Sequence, residues 1–225
     1  MITALFDADG TLYTAAFGIE LTKHLNTQGR QWYGRRYFAN VYTHYLLNKL
    51  KLIGQEKLQR SILGGLSGLM QGCTREYAAD AYHWMLEHII LPTQRADVIA
   101  RLRTHQAQGH KVVLVSGMTR PALELLQNHL GADGCIGTEP EIVDDRYTGR
   151  TLLTITGMDK ATQSRAYFRS HNLDVDWSAS FAYGDSFTDR QMLESVGHPV
   201  AVYPDQRLHA LALERHWEVF GAPKV

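Results

Sequence analysis

The chain has 225 residues, 23 basic against 23 acidic side chains, and 44% hydrophobic residues. That length fits one large α/β domain or a core with an insertion, and the absence of net charge gives no electrostatic case for a nucleic-acid or anionic-membrane partner. Cys73 and Cys135 lie far apart, with no Cys-x-x-Cys and no clustered histidine, which excludes a disulfide framework or a structural zinc site.

In chain order, the first element is an apolar run, Ile2 to Phe6, that ends in two aspartates, Asp7 and Asp9. Such a run predicts a buried strand, and an acid at its tip is expensive unless something neutralises it. Two acids there suggest a cation. They also stand where a leader peptide would need a basic start and an apolar stretch. No segment is apolar enough for a membrane span, so a cytoplasmic protein is expected.

From about Tyr13 to Leu91 the pattern is helical. Stretches such as "RQWYGRRYFANVYTHYLLNKLK" and "TREYAADAYHWMLEHIILP" repeat apolar residues at three and four, and convincing strands are absent. We expect an all-helical insertion of three or four helices, residues 13–91, interrupting a core formed by 1–12 and 92–225. Gly64, Gly68 and Gly72 recur every four residues, a spacing suited to close packing within the insertion. The cluster Arg30, Trp32, Tyr33, Arg35, Arg36 and Tyr37 reads as an amphipathic helix with solvated arginines, the alternative being a surface that reads an acidic or aromatic substrate.

Beyond the insertion, strands and helices alternate. "TQRADVIARLRTHQAQG" is helical up to Gly109, "KVVLVSG" is a strand, and "RPALELLQNHLGA" is a helix closed by Gly131. "DGCIGT" is a strand, "EIVDDRYTGRT" has the turn chemistry of a β-hairpin, and "GMDKATQSRAYFRSHN" is a helix ending at Asn172. "SFAYGD" and "HPVAVY" complete a set of buried parallel strands. The fold class is therefore α/β: a Rossmann-like three-layer parallel sheet with an inserted helical cap. In such sheets ligands bind beyond the carboxyl ends of the strands, so an insertion leaving the tip of the first strand would overhang the site as a lid.

The strand tips carry the informative residues. Asp7, Asp9, Gly10 and Thr11 follow the first strand, Ser116 and Gly117 the second, and Asp185 and Asp189 the strand "FAYG". Mg²⁺ prefers hard oxygen ligands and is commonly held by one or two carboxylates with a phosphate oxygen. Asp7 and Asp185 offer carboxylates, and the Asp9 backbone carbonyl offers a third oxygen. The Ser116 hydroxyl, backbone N–H groups near Gly10 and Gly117, and Lys160 at a helix start would hold a phosphoryl group.

"DADGT", "VLVSG", Lys160 and "GDSFTD", in that order, resemble the four motifs of the haloacid dehalogenase superfamily phosphatases, and a helical insertion after the first motif is similar to the phosphoserine-phosphatase-like branch. The resemblance implies that Asp7 attacks phosphorus and forms an aspartyl-phosphate, while Asp9 protonates the leaving alcohol and then deprotonates water. It implies that Thr11 supports that aspartate and that Ser116, Gly117 and Lys160 bind the phosphoryl group. Asp7, Asp9 and Asp185 would hold Mg²⁺, with Asp189 positioning the metal site. The substrate would be a small phosphorylated metabolite; no feature of the sequence speaks to oligomeric state.

Two positions depart from the phosphoserine phosphatase pattern. Ala16 stands where that branch carries a glutamate for the substrate's amino group, and Thr188 stands where it carries an asparagine. Glu20, one helical turn after Ala16, is a candidate substitute. Two other readings remain open beside the phosphatase: a phosphotransferase using the same intermediate with an alcohol acceptor, and a non-catalytic phosphoryl-binding protein on the same fold.

Overall fold

The computed structural model describes residues 1–224. Its centre is a seven-stranded sheet in the order β4-β3-β2-β1-β5-β6-β7. These strands are β1 (Thr3–Phe6), β2 (Lys111–Thr119), β3 (Gly134–Val143), β4 (Arg146–Leu153), β5 (Phe181–Gly184), β6 (His198–Val202) and β7 (Glu218–Phe220). Every neighbouring pair is parallel except β3 with β4, which run antiparallel. The expected α/β sheet is thus observed. β1 lies between β2 and β5, where the order of strands reverses, and the crevice at that switch point opens at the carboxyl end of β1.

Alternation along the strands separates two apolar layers. Ala4, Phe6, Val112, Leu114 and Val202 face one cluster, while Leu5, Val113, Val115, Ala182 and Ala201 face the other. Helices cover both faces: α5 (Ala96–Ala107) and α6 (Arg120–Leu130) on the first, α7 (Gly157–Ser170), the short α8 (Arg190–Leu193) and α9 (Gln206–Glu214) on the second.

Local chemistry sets the ends of these elements. α6 begins with Pro121 in its first turn and stops at Gly131, whose φ of +58° is the left-handed conformation glycine supplies without strain. α7 opens with a capping box between Thr156 and Asp159. Asp144 and Asp145, both at positive φ, form the tight turn of the β3–β4 hairpin. α9 and β7 are elements beyond those expected.

Between β1 and α5 the chain forms four helices: α1 (Phe17–Thr27), α2 (Gln31–Lys49), α3 (Gln55–Leu69) and α4 (Arg75–Met85). The long pattern after Thr74 does not continue as one α-helix: it widens into a π-helical turn, Leu86–Ile90, and a 3-10 turn, Leu91–Thr93, where Pro92 ends the α-helical ladder. The glycines of α3 serve a different contact from the one expected. Gly64 lies against Thr151 and Thr154 and Gly68 faces the Gly149 carbonyl, so α3 approaches the hairpin of the core, while Gly65 meets the Tyr37 ring of α2. Arg30 does not sit free in solvent: its guanidinium donates to the carbonyls of Leu69 and Gln71, closing the end of α3.

Beneath the sheet, Phe6 stacks on Tyr183 at 4.2 Å, and the Tyr183 hydroxyl lies 2.7 Å from Nε2 of buried His105. Burial, reinforced by His110 and Arg101, lowers the His105 pKa to about 4. A histidine freed by unfolding titrates near 6.5, so between those values the unfolded chain binds the extra proton. Its contribution to stability is present above pH 6.5 and lost as pH falls towards 4. His105→Gln is expected to flatten the fall in urea midpoint between pH 6.5 and 4 relative to the native chain.

Candidate active site

The carboxyl ends of β1, β2 and β5 and the start of α7 enclose a cavity of about 130 Å³. Asp7 continues the β1 ladder, its backbone N–H donating to the Tyr183 carbonyl at 3.0 Å. Its carboxylate is buried, with Oδ1 2.5 Å from the Lys160 ammonium and Oδ2 accepting from the Thr11 hydroxyl at 2.9 Å. Lys160 reaches the strand tips from the first turn of α7 and donates also to Asp189 Oδ1 at 2.6 Å. Thr11 lies 3.2 Å from Asp185 Oδ1, joining the tips of β1 and β5. Ser116 is buried at the tip of β2, its hydroxyl accepting from the Met118 N–H, and Gly117 lines the cavity beside it.

Asp9 is half-buried. Its Oδ1 accepts from the Tyr13 hydroxyl and from the Phe17 N–H at the start of α1. Burial pushes its carboxyl up to about 6, against the Tyr13 and Phe17 hydrogen bonds, which pull it down. Burial also raises the Asp7 carboxyl, opposed by Lys160 and reinforced by Asp189 and Asp185. For Lys160, burial disfavours the ammonium, but Asp189 and Asp7 outweigh it and hold the charge.

Two glycines let these groups converge. At Gly10 the backbone has φ +85°, and a Cβ there would fall 2.3 Å from Asp185 Oδ2. At Gly157 a Cβ would fall 2.0 Å from the Thr188 carbonyl, so the start of α7 rests directly on the loop that carries Asp189.

Carboxylate oxygens of Asp7, Asp185 and Asp189 lie within 4.8 Å of one another, all three buried. This cluster can hold a metal ion. Four acids and one lysine line the cavity, an excess of negative charge that burial penalises unless a cation joins them. The Lys224 ammonium already rests against Asp185 Oδ2, a cation set where the donors suit one. Asp189, expected only to position the metal site, belongs to the cluster itself.

Six of the eight residues singled out at the strand tips line the cavity together with Lys160; Gly10 packs against Asp185 and Thr11 stands on Asp7 and Asp185, both outside the cavity wall itself. Glu20 does not substitute for the missing glutamate: it pairs with Lys23 at 2.7 Å and is not part of the cavity wall. Neither is any member of the Arg30–Tyr37 cluster. Several contributors had no sequence signal. Tyr13 holds Asp9, while Gln59 and Leu63 of α3 close the cavity from above. Asp205, the cap of α9, accepts from the Phe187 N–H and steadies the 185–189 loop.

A family model of haloacid dehalogenase-like hydrolases matches residues 4–194. The chain belongs to that family. Among its relatives, the inhibition of morphological differentiation protein of Streptomyces azureus is 34% identical over 159 residues, covering 68% of this chain and 55% of that protein. A phosphoserine phosphatase of Mycobacterium tuberculosis is 29% identical over 224 residues, covering 96% of this chain and 69% of that one. This chain thus spans about half the length of the first and two thirds of the second. A protein of unknown function from Bordetella pertussis shares the fold, with a TM-score of 0.84, 24% identity and 97% of each chain covered. Among the described residues no helix is long and apolar enough to cross a membrane.

Gly157→Ala tests how tightly α7 is seated on the 185–189 loop. Forcing a methyl against the Thr188 backbone is expected to lower stability by about 1–3 kcal/mol, read as a lower urea midpoint at unchanged slope.

Proposed function

We propose that the chain is a Mg²⁺-dependent phosphatase that hydrolyses a small phosphomonoester through an aspartyl-phosphate on Asp7. The observation that carries this reading is the buried Asp7 carboxylate, held between Lys160 and Thr11 beside the Asp185 and Asp189 oxygens. A carboxylate so fixed, with a cation beside it, is a nucleophile prepared for a phosphoryl group. The helices between β1 and α5, roughly residues 13–91, act as the cap, placing α3 over the strand tips.

In the first step an Asp7 oxygen bonds to phosphorus and the bond to the leaving oxygen breaks, with the Asp9 proton going to the departing alcohol. In the second step water attacks the aspartyl-phosphate, its proton passes to the Asp9 carboxylate, and phosphate leaves with the Asp7 carboxylate restored. Asp9 can serve in both directions because its carboxyl, pushed up to about 6, has both protonation states accessible near neutral pH. The Tyr13 hydrogen bond fixes its orientation. Lys160, the Ser116 hydroxyl and the Gly117 backbone N–H hold phosphoryl oxygens. Asp7, Asp185 and the Asp9 carbonyl would hold Mg²⁺, with Asp189 beside them; the bound ion supplies charge that lets a carboxylate approach a phosphate.

Phosphate release from a panel of phosphorylated metabolites tests this reading. With Mg²⁺ the native chain is expected to turn over at least one compound, and a chelator is expected to abolish release until Mg²⁺ is restored. Asp7→Asn is expected to lower kcat by about a thousandfold or more, as loss of a covalent nucleophile does. Phosphorylated alcohol formed on adding an acceptor would instead establish the phosphotransferase. Binding without release by the folded native chain would establish the non-catalytic reading.

A further inference from the structure

Every ionisable residue that lines the cavity, Asp7, Asp9, Lys160, Asp185 and Asp189, belongs to the cluster at the strand tips. Apart from the phosphoryl-binding pair Ser116 and Gly117, the wall is neutral: Gln59, Leu63, Ile155, Gly157, Ser186 and Thr188. No charged side chain of α3 lines the cavity, and Glu56 pairs with Arg60 at 2.9 Å and Arg60 with Asp159 at 3.3 Å. In the phosphatase reading the four carboxylates are already committed, Asp7 to phosphorus, Asp9 to the proton, Asp185 and Asp189 to the metal and Lys160, so a substrate ammonium finds no carboxylate reserved for it and a substrate carboxylate meets only like charge and an engaged lysine.

The two side chains that α3 sends into the cavity define what replaces such a charge. Leu63 lies against Gly117, so close that a Cβ on that glycine would fall 2.7 Å from both Leu63 methyl carbons. It offers only apolar contact. Gln59, one turn earlier on the same face, is half-buried, and among the described residues its amide has no hydrogen-bond partner. A neutral donor and acceptor beside an apolar wall fits a hydroxyl-bearing alcohol.

We infer that the substrate's leaving group is a small uncharged alcohol, selected by Gln59 and Leu63 against amino-bearing and acidic alcohols. This inference rests on the phosphatase reading and names its substrate class.

Glycerol 3-phosphate, phosphoethanolamine, phosphoserine and phosphoglycolate carry neutral, cationic, zwitterionic and anionic leaving groups of similar size. The native chain is expected to favour glycerol 3-phosphate over each of the others by tenfold or more in kcat/KM. Gln59→Glu is expected to shift the ratio of phosphoethanolamine to glycerol 3-phosphate upward by tenfold or more, and Leu63→Ala to narrow the native preference. Calorimetric binding of the same four compounds to Asp7→Asn reads the preference without turnover. A neutral preference in binding with no phosphate release by the native chain would therefore sink the phosphatase reading and keep this one. Equal or tighter handling of phosphoethanolamine, phosphoserine or phosphoglycolate, or a Gln59→Glu variant whose ratio stays native, would overturn it.

Discussion

A buried ammonium between two carboxylates holds this site together. Lys160 meets Asp7 at 2.5 Å and Asp189 at 2.6 Å, and all three side chains are almost wholly excluded from solvent. The partners come from β1, α7 and the loop after β5, segments far apart in the chain. Such a triad contributes little net stability, because desolvation offsets most of the attraction. Its effect is on geometry. Removing any one member leaves an uncompensated buried charge, so strand tip, helix start and loop are fixed relative to one another.

The rest of the architecture serves that constraint. The capping box of α7 sets where its first turn begins, and Gly157 lets that turn rest on the Thr188 carbonyl, which brings Lys160 to the strand tips. Gly10 lets β1 turn away against Asp185, and Arg95 donates to the Gly10 carbonyl from the start of α5. The helical insertion leaves the chain at this turn and is tied down at its far side. Thr151 of the hairpin donates to the Gly64 carbonyl and lies 2.7 Å from Ser67, while Arg60 reaches Asp159 on α7. α3 therefore spans the cavity with both ends anchored to the core.

The parts legible in the sequence are those where local pattern and site coincide. β1, β2 and β5 are apolar runs that stop at acids, a serine or glycine, and a parallel sheet brings such stops to one edge whatever the details of packing. Lys160 was legible from its place at a helix start. The residues that were not legible owe their positions to contacts between distant segments. Tyr13 looks like an ordinary core aromatic until the turn after β1 folds its hydroxyl back onto Asp9. Gln59 and Leu63 are an unremarkable helical pair until α3 is docked on the hairpin. Glu20 failed as a substitute because one turn along α1 points it at Lys23. The spacing of Gly64 and Gly68 was readable as close approach, but not that the approach is to a β-hairpin.

The charged cluster and the two α3 side chains over it come from different parts of the chain, and in the proposed phosphatase this separates two demands that conflict. Stabilising a phosphoryl group calls for fixed charges in a dry place, and those charges are held by β1, β5 and α7, whose positions the sheet dictates. Discriminating among leaving groups calls for side chains that can change without unpairing a buried ion. α3 supplies those from an element that faces the cluster across the cavity, with Glu56 and Arg60 paired outside it. A substitution at Gln59 or Leu63 therefore alters what the wall offers a substrate while the Asp7–Lys160–Asp189 contacts stay as they are. A substitution within the triad cannot alter substrate preference without first disturbing the chemistry.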